Sequence, residues 1–281
     1  MINDSIVKTR RVGMIKVIVS DLDGTLLPKG CQQLEPEMIT LIKELINKYH
    51  ILFVAASGRQ YSNIRRMFEP IQDQIAYICE NGSIVVYQGE VLYKKCISKE
   101  LSKEVIQAIW KKASAEILLS GEDISYIKPK SDYFYNLIKN VMKNNVVVVD
   151  NILSVEDEFL KISLYERNKI GDSIYDWQKR FADQLTVVTS SPKWLDFTPK
   201  FSNKGKALEA LLRKLEISPK NCMAFGDEFN DIEMLNYVGY GFAMNYSREE
   251  VKNSCKYQTD QVESILKLLY YDKKKFYDML H

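Results

Sequence analysis

Histidine and cysteine are too few or too scattered in this sequence for the metal and nucleophile chemistry that they usually carry. The 281 residues include two histidines, His50 and His281, which argues against a histidine-rich metal site or a serine–histidine triad. The five cysteines form no Cys-x-x-Cys pair, and an odd number cannot all pair with one another. We therefore expect reduced cysteines and a reducing, cytoplasmic compartment.

The sequence also lacks the marks of several classes of function. No apolar run reaches 18 residues, and residues 1–13 contain none long enough for a signal peptide. Acidic and basic residues are mixed along the chain, with a net charge of +2 and no basic stripe. A Gly-x-x-x-x-Gly-Lys phosphate loop is missing as well. We therefore expect neither nucleic acid nor a membrane as a partner, and the missing loop argues against enzymes that bind phosphate through it.

The sequence predicts an alternation of buried strands and amphipathic helices after residues 1–13, which we expect to form a loose extension. Short apolar runs at 16–20, 51–55 and 75–79 predict strands, because such runs are typical of a parallel sheet covered on both faces. Apolar residues at helical spacing over 35–50 predict a helix that His50 would cap. Strands and helices in this order predict an α/β fold with a doubly wound, Rossmann-like parallel sheet.

The pattern changes in the middle of the chain. From residue 84 a hairpin around Gln88-Gly89 is followed by short strands and helices, which predict an inserted α+β unit with an antiparallel sheet. The α/β pattern returns at about residue 189. We therefore predict a core domain in two parts, 1–83 and 189–281, and an inserted domain over 84–188.

The stretch IKVIVSDLDGTLL, residues 15–27, ends a predicted buried strand in two aspartates, Asp21 and Asp23. Ligands bind beyond the carboxyl ends of strands in open α/β sheets. Two unpaired carboxylates ~4 Å apart would repel by about 4 kcal/mol at an effective dielectric constant of about 20. A divalent cation would offset that repulsion, and Mg²⁺ prefers such oxygen ligands. The alternative is an acidic turn, since Asp-Gly is common in turns.

Other predicted strand and helix ends add complementary groups. Asp227 ends another apolar run in FGDEFNDIEML, and Asp231 follows one helical turn later. Ser57 and Gly58 follow the second strand in ASGRQ, and Lys204 opens a helix in NKGKAL. Carboxylates, a hydroxyl, backbone amides and an ammonium are the groups needed to hold a phosphoryl group next to a metal ion.

In their order, DLDGTLL, SGR, NKGKAL and GDEFNDIEML resemble the four motifs of the haloacid dehalogenase (HAD) superfamily of phosphohydrolases. The insertion between the second and third motifs resembles the α+β cap of the Cof-type, class IIB, sugar-phosphatase-like branch, and so does ENGS after the third strand. The resemblance extends over the chain from Met14, although the cap matches by pattern and position only. It implies a HAD core with an inserted cap domain.

The resemblance also implies a role for each motif residue. Asp21 would be the nucleophile that forms an aspartyl-phosphate, and Asp23 would protonate the leaving oxygen and then activate water. The phosphoryl oxygens would be held by Ser57, Gly58, Lys204 and Asn230. The cofactor Mg²⁺ would be bound by Asp21, the main-chain carbonyl of Asp23, Asp227 and, directly or through water, Asp231.

Several residues keep alternative interpretations at this stage. Lys204 could be an ordinary solvated lysine, and Ser57 could be a helix cap. Arg59 is expected either to contact substrate or to pair with a cap carboxylate. Asn81 and Gly82 are expected to form a hinge and a turn.

The sequence departs from the Cof-type pattern after Met244. Chains of that branch usually have Gly-Asn-Ala at this point, whereas Asn245, Tyr246 and Ser247 follow here. The acidic-Asp-Gly-Val stretch before the last helix is also missing. Neither change removes a predicted catalytic group, so we expect an altered rim of the site.

The function expected from the resemblance is a Mg²⁺-dependent phosphatase for small phosphorylated metabolites such as sugar phosphates, acting as a monomer or homodimer. A phosphotransferase such as a phosphohexomutase would use the same aspartyl-phosphate. A non-catalytic phosphometabolite-binding protein is a third alternative, but binding alone needs no nucleophile. Basic and aromatic cap residues suit a sugar or nucleotide-like phosphate, or belong to the cap surface or core: Tyr126, Lys128, Lys130, Tyr133 and Tyr135.

Overall fold

The computed structural model describes residues 14–28, 31–168, 170–171 and 173–280, so the extension predicted at residues 1–13 lies outside the described residues. The first part of the chain alternates strands and helices as predicted and then adds a hairpin. Its elements are β1 (Val17–Asp21), α1 (Pro36–Tyr49), β2 (Leu52–Ala56), α2 (Tyr61–Met67), β3 (Ala76–Cys79), β4 (Ile84–Tyr87) and β5 (Glu90–Lys94).

Helix α1 shows why the sequence pattern predicted these elements. Its apolar residues recur every three or four positions, and Met38 and Leu41 are buried. Pro36 occupies the first turn, where a missing N–H breaks no helical hydrogen bond. The helix ends at His50, which has a left-handed φ of 53° and donates its backbone N–H to the carbonyl of Ile46. His50 is therefore the C-terminal cap, as predicted.

The middle of the chain forms a second, smaller sheet. Its elements are α3 (Lys99–Trp110), β6 (Ala115–Ser120), β7 (Ser125–Ile127), α4 (Asp132–Asn136), β8 (Val146–Val148), β9 (Lys161–Glu166), α5 (Ser173–Phe181), β10 (Leu185–Ser191) and β11 (Trp194–Pro199). Within the described residues its six strands have the order β10-β11-β9-β6-β7-β8, and only β7 and β8 are parallel neighbours. Ile162 and Leu164 pack under α3 and α5, so Lys161 and Ser163 lie on the opposite face.

The last part of the chain returns to the first sheet. Its elements are α6 (Lys204–Lys214), β12 (Cys222–Gly226), α7 (Ile232–Tyr237), β13 (Tyr240–Met244), α8 (Glu249–Lys252), β14 (Tyr257–Thr259), α9 (Val262–Tyr271) and α10 (Lys273–Met279). Over the described chain the larger sheet has eight strands in the order β14-β13-β12-β1-β2-β3-β4-β5. The strands from β14 to β3 are parallel, and β4 and β5 are antiparallel. The strand order reverses at β1, where sheets of this kind bind ligands.

Both faces of the larger sheet are covered by helices. Ile18 joins the apolar cluster that includes residues of α1 and α9, whereas Val17 and Val19 join the cluster of α6 and α7. Burial on both sides explains why these strands appeared in the sequence as unbroken apolar runs. No helix in the described part of the chain has the length and apolar character needed to cross a membrane.

Strand pairing corrects both predicted boundaries of the insertion, 84–188. The hairpin of β4 and β5 extends the larger sheet, because β4 pairs with β3 from Ala76↔Tyr87 to Cys79↔Ile84. At the other end, β10 and β11 belong to the smaller sheet, so the chain returns to the core only after Pro199. The hairpin around Gln88-Gly89 was predicted correctly, but local sequence signals do not specify which sheet a strand joins.

Candidate active site

Several sequence segments meet at the carboxyl edge of the larger sheet. Asp21 is the last residue of β1, and Ser57 and Asp227 directly follow the last residues of β2 and β12. Since β1 pairs in parallel with both β2 and β12, these three residues lie at the same edge. Lys204 reaches this edge from the first position of α6. The structure thus brings together the residues that the strand ends predicted.

Three buried carboxylates form a compact cluster at this edge. Oxygen atoms of Asp21, Asp227 and Asp231 all lie within 4.8 Å of one another, and the three residues are 6%, 3% and 0% exposed. The buried ammonium of Lys204 donates to Asp21 Oδ1 at 2.6 Å and to Asp231 Oδ1 at 2.7 Å. Lys204 is therefore not a solvated surface lysine. With all groups ionised, the cluster carries three negative charges and one positive charge.

Burial and the neighbouring charges shift the pKa values of Asp21 and Lys204. Burial raises the pKa of the Asp21 carboxyl well above its usual value; Lys204 opposes the shift, and Asp231 and Asp227 add to it. Burial alone would lower the pKa of Lys204, but the charges and hydrogen bonds of Asp21 and Asp231 outweigh it and raise the pKa. Three close, buried carboxylates are a donor set that fits Mg²⁺.

Asp231 is held in place by the backbone of its own loop. Its Oδ2 accepts hydrogen bonds from the backbone N–H groups of Asp227 and of the next residue, both at 3.0 Å. A Cβ on Gly226 would lie 2.5 Å from the Cβ of Asp231, so the close approach requires glycine. Since its Oδ1 accepts from the buried ammonium, both oxygens of Asp231 have protein partners.

Two residues of the first motif support Asp227, a role that the sequence left unassigned. Thr25 donates its hydroxyl to Asp227 Oδ1 at 2.9 Å. Gly24 has φ of 98°, and a Cβ there would lie 2.6 Å from Asp227 Oδ2. A side chain at Gly24 would therefore be strained by both the backbone and the contact. The signal was present in the sequence, because both residues belong to the Asp-x-Asp-Gly-Thr run.

Asp23 lies outside the carboxylate cluster. Its side chain is half exposed, and both of its carboxylate oxygens accept hydrogen bonds from Arg59, with 2.8 Å between Nε and Oδ2. Arg59 also donates to Gln32 Oε1 at 2.9 Å. The charge of Asp23 is therefore offset by a guanidinium, a partner that the spacing of Asp21 and Asp23 did not predict. Arg59 thus pairs with a core carboxylate and not with a cap carboxylate, whereas its contact with substrate stays a prediction.

Gly58 and Asn230 both contact the side chain of Asn81 in the turn Glu80–Gly82. A Cβ on Gly58 would lie 2.7 Å from Asn81 Oδ1, so the side chain of Asn81 packs directly on this glycine. Asn230 donates its Nδ2 to the same oxygen at 3.2 Å. The backbone φ is positive at all three turn positions, which confirms the predicted turn.

Ser57 is buried in the loop between β2 and α2. Its hydroxyl oxygen accepts a hydrogen bond from the backbone N–H of Arg59 at 3.2 Å, and its carbonyl accepts one from the N–H of Asn81 at 3.2 Å. The N-terminal cap residue of α2 is Gln60, so Ser57 is not the cap of that helix. The structure thus removes the alternative interpretation of Ser57.

A family model described as haloacid dehalogenase-like hydrolase matches residues 18–268. The chain belongs to the haloacid dehalogenase-like hydrolases. The match begins inside β1, ends inside α9 and includes every segment of the site. The predicted family and the predicted α/β core with an inserted cap are confirmed.

Relatives of known or assigned activity share most of the length of this HAD hydrolase. It is 27% identical over 245 residues to the 5-amino-6-(5-phospho-D-ribitylamino)uracil phosphatase YbjI of Escherichia coli, which covers 87% of this chain and 90% of the relative. It is 26% identical over 255 residues to the HMP-PP phosphatase of Serratia proteamaculans, which covers 85% of this chain and 87% of the relative. The family and these relatives confirm the predicted enzyme class, a HAD-type phosphatase.

A solved structure supports the same architecture. A sugar phosphatase of HAD subclass IIB matches with a TM-score of 0.74 at 21% identity, covering 90% of this chain and 97% of the other chain. At this identity the likeness shows the fold alone. It agrees with an inserted cap of the IIB type in this hydrolase.

The loop in which this HAD hydrolase departs from the Cof-type pattern lies at the rim of the cluster. Tyr246 is half exposed; burial raises the pKa of its hydroxyl, and the charges of Asp227 and Asp21 raise it further. Asn245 donates its Nδ2 to Asp260 Oδ1 at 2.6 Å, which ties the loop to the segment before α9. The altered sequence therefore places the phenol of Tyr246 near the carboxylates of Asp227 and Asp21, which agrees with the rim change expected from the sequence.

Most of the basic and aromatic cap residues considered as substrate contacts bond or stack on other residues of the cap. Tyr126 donates its hydroxyl to Asp157 at 2.9 Å, and Lys130 Nζ donates to the carbonyl of Ala115 at 2.7 Å. The ring of Tyr133 stacks on a neighbouring tyrosine with the ring centroids 6.5 Å apart. These contacts favour a structural role for these three residues over substrate recognition.

Proposed function

We propose that this chain is a Mg²⁺-dependent phosphatase that hydrolyses small phosphorylated metabolites, such as sugar phosphates, through an aspartyl-phosphate on Asp21. The observation that carries the proposal is the buried cluster of Asp21, Asp227 and Asp231 with Lys204. It combines a carboxylate at a strand end, which would be the nucleophile, with two further buried carboxylates whose oxygens fit Mg²⁺. The names of the relatives, which act on small phosphorylated compounds, support the substrate class.

The metal would be held by Asp21, the main-chain carbonyl of Asp23 and Asp227. Asp231 is better suited to contact it through water, because both of its oxygens already accept hydrogen bonds from the protein. When bound, Mg²⁺ would neutralise the charge that develops on the transferred phosphoryl group. Thr25 would keep Asp227 in its orientation.

The protein side chains would divide the reaction between them. A carboxylate oxygen of Asp21 attacks phosphorus, the bond to the ester oxygen breaks, and an aspartyl-phosphate forms. Asp23 gives a proton to the leaving oxygen. It later takes a proton from the water that attacks phosphorus, the bond between phosphorus and Asp21 breaks, and inorganic phosphate is released. Both oxygens of Asp23 bond Arg59, so at least one of these hydrogen bonds must open before Asp23 transfers a proton.

The phosphoryl oxygens would be held by groups from the segments that follow β2 and β12 and from the start of α6. Lys204 contacts Asp21 directly and supplies positive charge. Donors from three other positions complete the set: the Ser57 hydroxyl, the Gly58 amide and the Asn230 amide. Such preorganised donors stabilise charge best where they are shielded from water, and Ser57 is 1% exposed.

We also propose a cytoplasmic location and a monomeric or homodimeric state. All five cysteines are free in the structure, which supports a reducing compartment.

The proposal is tested by phosphate release from p-nitrophenyl phosphate, with Mg²⁺ and with EDTA. We expect metal-dependent turnover in the wild type and none in Asp21→Asn, which keeps the side-chain shape but is no nucleophile. The matched control is Asp73→Asn, an exposed core carboxylate paired with Arg65, which should keep full activity. Turnover that persists in Asp21→Asn or in EDTA would contradict the proposal. A trapped phosphoryl-enzyme that turns over only with a bisphosphate activator would favour the phosphohexomutase instead.

A further inference from the structure

Two consecutive non-glycine residues of the turn Glu80–Gly82 have a left-handed backbone. φ is 50° at Glu80 and 56° at Asn81, and both residues are buried. Such a conformation persists only where its surroundings hold it, and it recurs at functional sites. The backbone N–H groups of the two residues donate to the carbonyls of Arg59 and Ser57, both at 3.2 Å. The turn is therefore fastened to the loop that carries candidate phosphate-binding groups.

The cap holds this turn and loop through a buried group of charges. Lys161 on β9 donates from Nζ to the carbonyl of Gly58 at 2.7 Å and pairs with Glu80 Oε2 at 2.7 Å. Asp196 on β11 lies 3.9 Å from the same ammonium and accepts a hydrogen bond from Ser163 at 2.7 Å. The three charged residues are 2–7% exposed. Because buried charges need partners, this group is satisfied only with the cap seated on the core.

The side-chain amide of Asn81 connects the cap charges to the phosphate site. Its Nδ2 donates to Asp196 Oδ2 at 3.2 Å, and its Oδ1 accepts from Asn230 Nδ2 at 3.2 Å. A carboxylate can only accept, so Asp196 determines which end of the amide faces the cap. With the amide turned over, two NH₂ groups would face each other at Asn230 and two oxygens would face each other at Asp196.

From this geometry we infer that Asn81 is a positioning residue for the phosphoryl group and that Asp196 orients it from the cap. Asn230 has two N–H groups; with one on Asn81, the direction of the second is set for a phosphoryl oxygen. The inference rests on the proposed phosphatase function and deepens it. The phosphate-binding groups of the core reach their working arrangement through a cap residue that does not touch the substrate.

The test is a double-mutant cycle of Asp196→Asn and Asn230→Ala. The measured quantities are kcat and KM for p-nitrophenyl phosphate and inhibition by inorganic phosphate. Asp196→Asn keeps the shape of the side chain but lets the Asn81 amide turn over. We expect it to lower kcat by about 10- to 100-fold, as misplacement of substrate-positioning groups does, with a smaller change in KM. In the Asn230→Ala background, Asp196→Asn should lower kcat little further, because the Asn230 amide that Asn81 positions is already absent.

Glu116→Gln is the matched control. Glu116 is a cap carboxylate that is 7% exposed, and its hydrogen-bond partners, the N–H of Lys130 and the hydroxyl of Ser131, both belong to the cap. Glu116→Gln should leave kcat and inhibition by phosphate unchanged. If Asp196→Asn does not fold, Asn81→Gly removes the same amide at a position whose left-handed φ suits glycine, and the same non-additivity is expected.

The outcomes separate the two proposals. Losses that multiply in the double variant, or an Asp196→Asn enzyme that behaves like Glu116→Gln, would overturn the inference and leave the phosphatase intact. A wild type that neither hydrolyses the aryl phosphate nor binds inorganic phosphate would overturn the proposed function, and the inference with it.

Discussion

Replacing Asp21 with asparagine is expected to stabilise the metal-free protein, although it removes the proposed nucleophile. Asp21 lies within 4.8 Å of two carboxylates and 2.6 Å from one ammonium. At an effective dielectric constant of about 20, each repulsion amounts to about 3 kcal/mol and the attraction to about 6 kcal/mol, so these contributions nearly cancel. The desolvation of a buried carboxylate then remains uncompensated, and it typically costs several kcal/mol.

We therefore expect Asp21→Asn to raise the free energy of unfolding in EDTA at pH 7 by about 1–3 kcal/mol, or Tm by about 2–6 °C. The pH dependence follows from the raised pKa of Asp21 in the folded state. Relative to Asp21→Asn, the wild type is most stable below the pKa of about 4 that Asp21 has in the unfolded chain. It loses this stability as the pH rises through the pKa of Asp21 in the folded protein. Saturating Mg²⁺ should reverse the order, because the cation binds and stabilises the folded wild type.

Thermal unfolding followed by circular dichroism, between pH 4 and 8 in EDTA or Mg²⁺, checks this prediction. Asp73→Asn is again the matched control, because the side chain of Asp73 is 76% exposed, and it should show neither effect. An Asp21→Asn protein that is less stable than the wild type in EDTA at pH 7 would refute the reasoning. It would mean that Lys204 fully compensates for the burial of Asp21.

Two further substitutions test the charge and strain described by the structure. Lys204→Met leaves the buried carboxylates of Asp21 and Asp231 without the ammonium that they bind. It should therefore lower the free energy of unfolding in EDTA, measured by urea titration, by about 3–5 kcal/mol. Lys206→Met, on the exposed side of the same helix, should change the free energy of unfolding by no more than about 0.5 kcal/mol. Equal losses in the two variants would mean that Lys204 does not stabilise the buried carboxylates. Phe201 has φ of 64° and is 71% exposed, so Phe201→Gly should raise stability by up to about 1 kcal/mol. Phe201→Ala, which keeps the unfavourable φ, should not gain stability; an equal gain would show that φ is not the cause.

Burial on both faces of the larger sheet explains why much of the fold and site could be predicted. Strands β1, β2 and β12 appear in the sequence as short apolar runs because helices cover both of their faces. The polar residues after these runs, Asp21, Ser57 and Asp227, had to meet at one edge once the strands were parallel. Local periodicity and strand geometry were sufficient for this part.

Pairings between residues that are far apart in the sequence could not be predicted in the same way. The hairpin of β4 and β5 has the same alternation whether it extends the larger sheet or opens the smaller one. Arg59 pairs with a residue 36 positions earlier in the chain, and Asn81 bonds Asp196 across 115 positions. An arginine or asparagine in a loop has many candidate partners, and only the packed structure selects one.

The central position of β1 has a consequence for synthesis on the ribosome. One neighbour, β2, follows within the same segment, but the register of the other begins at Val17↔Cys222, roughly 200 residues later. At about 5–20 residues per second, roughly 10–40 s pass before that edge of β1 can pair. Lys204, Asp227 and Asp231 arrive in the same last part of the chain. The nascent chain therefore carries Asp21 hydrated and without electrostatic penalty, while the open edge of β1 is the surface that most needs protection from aggregation.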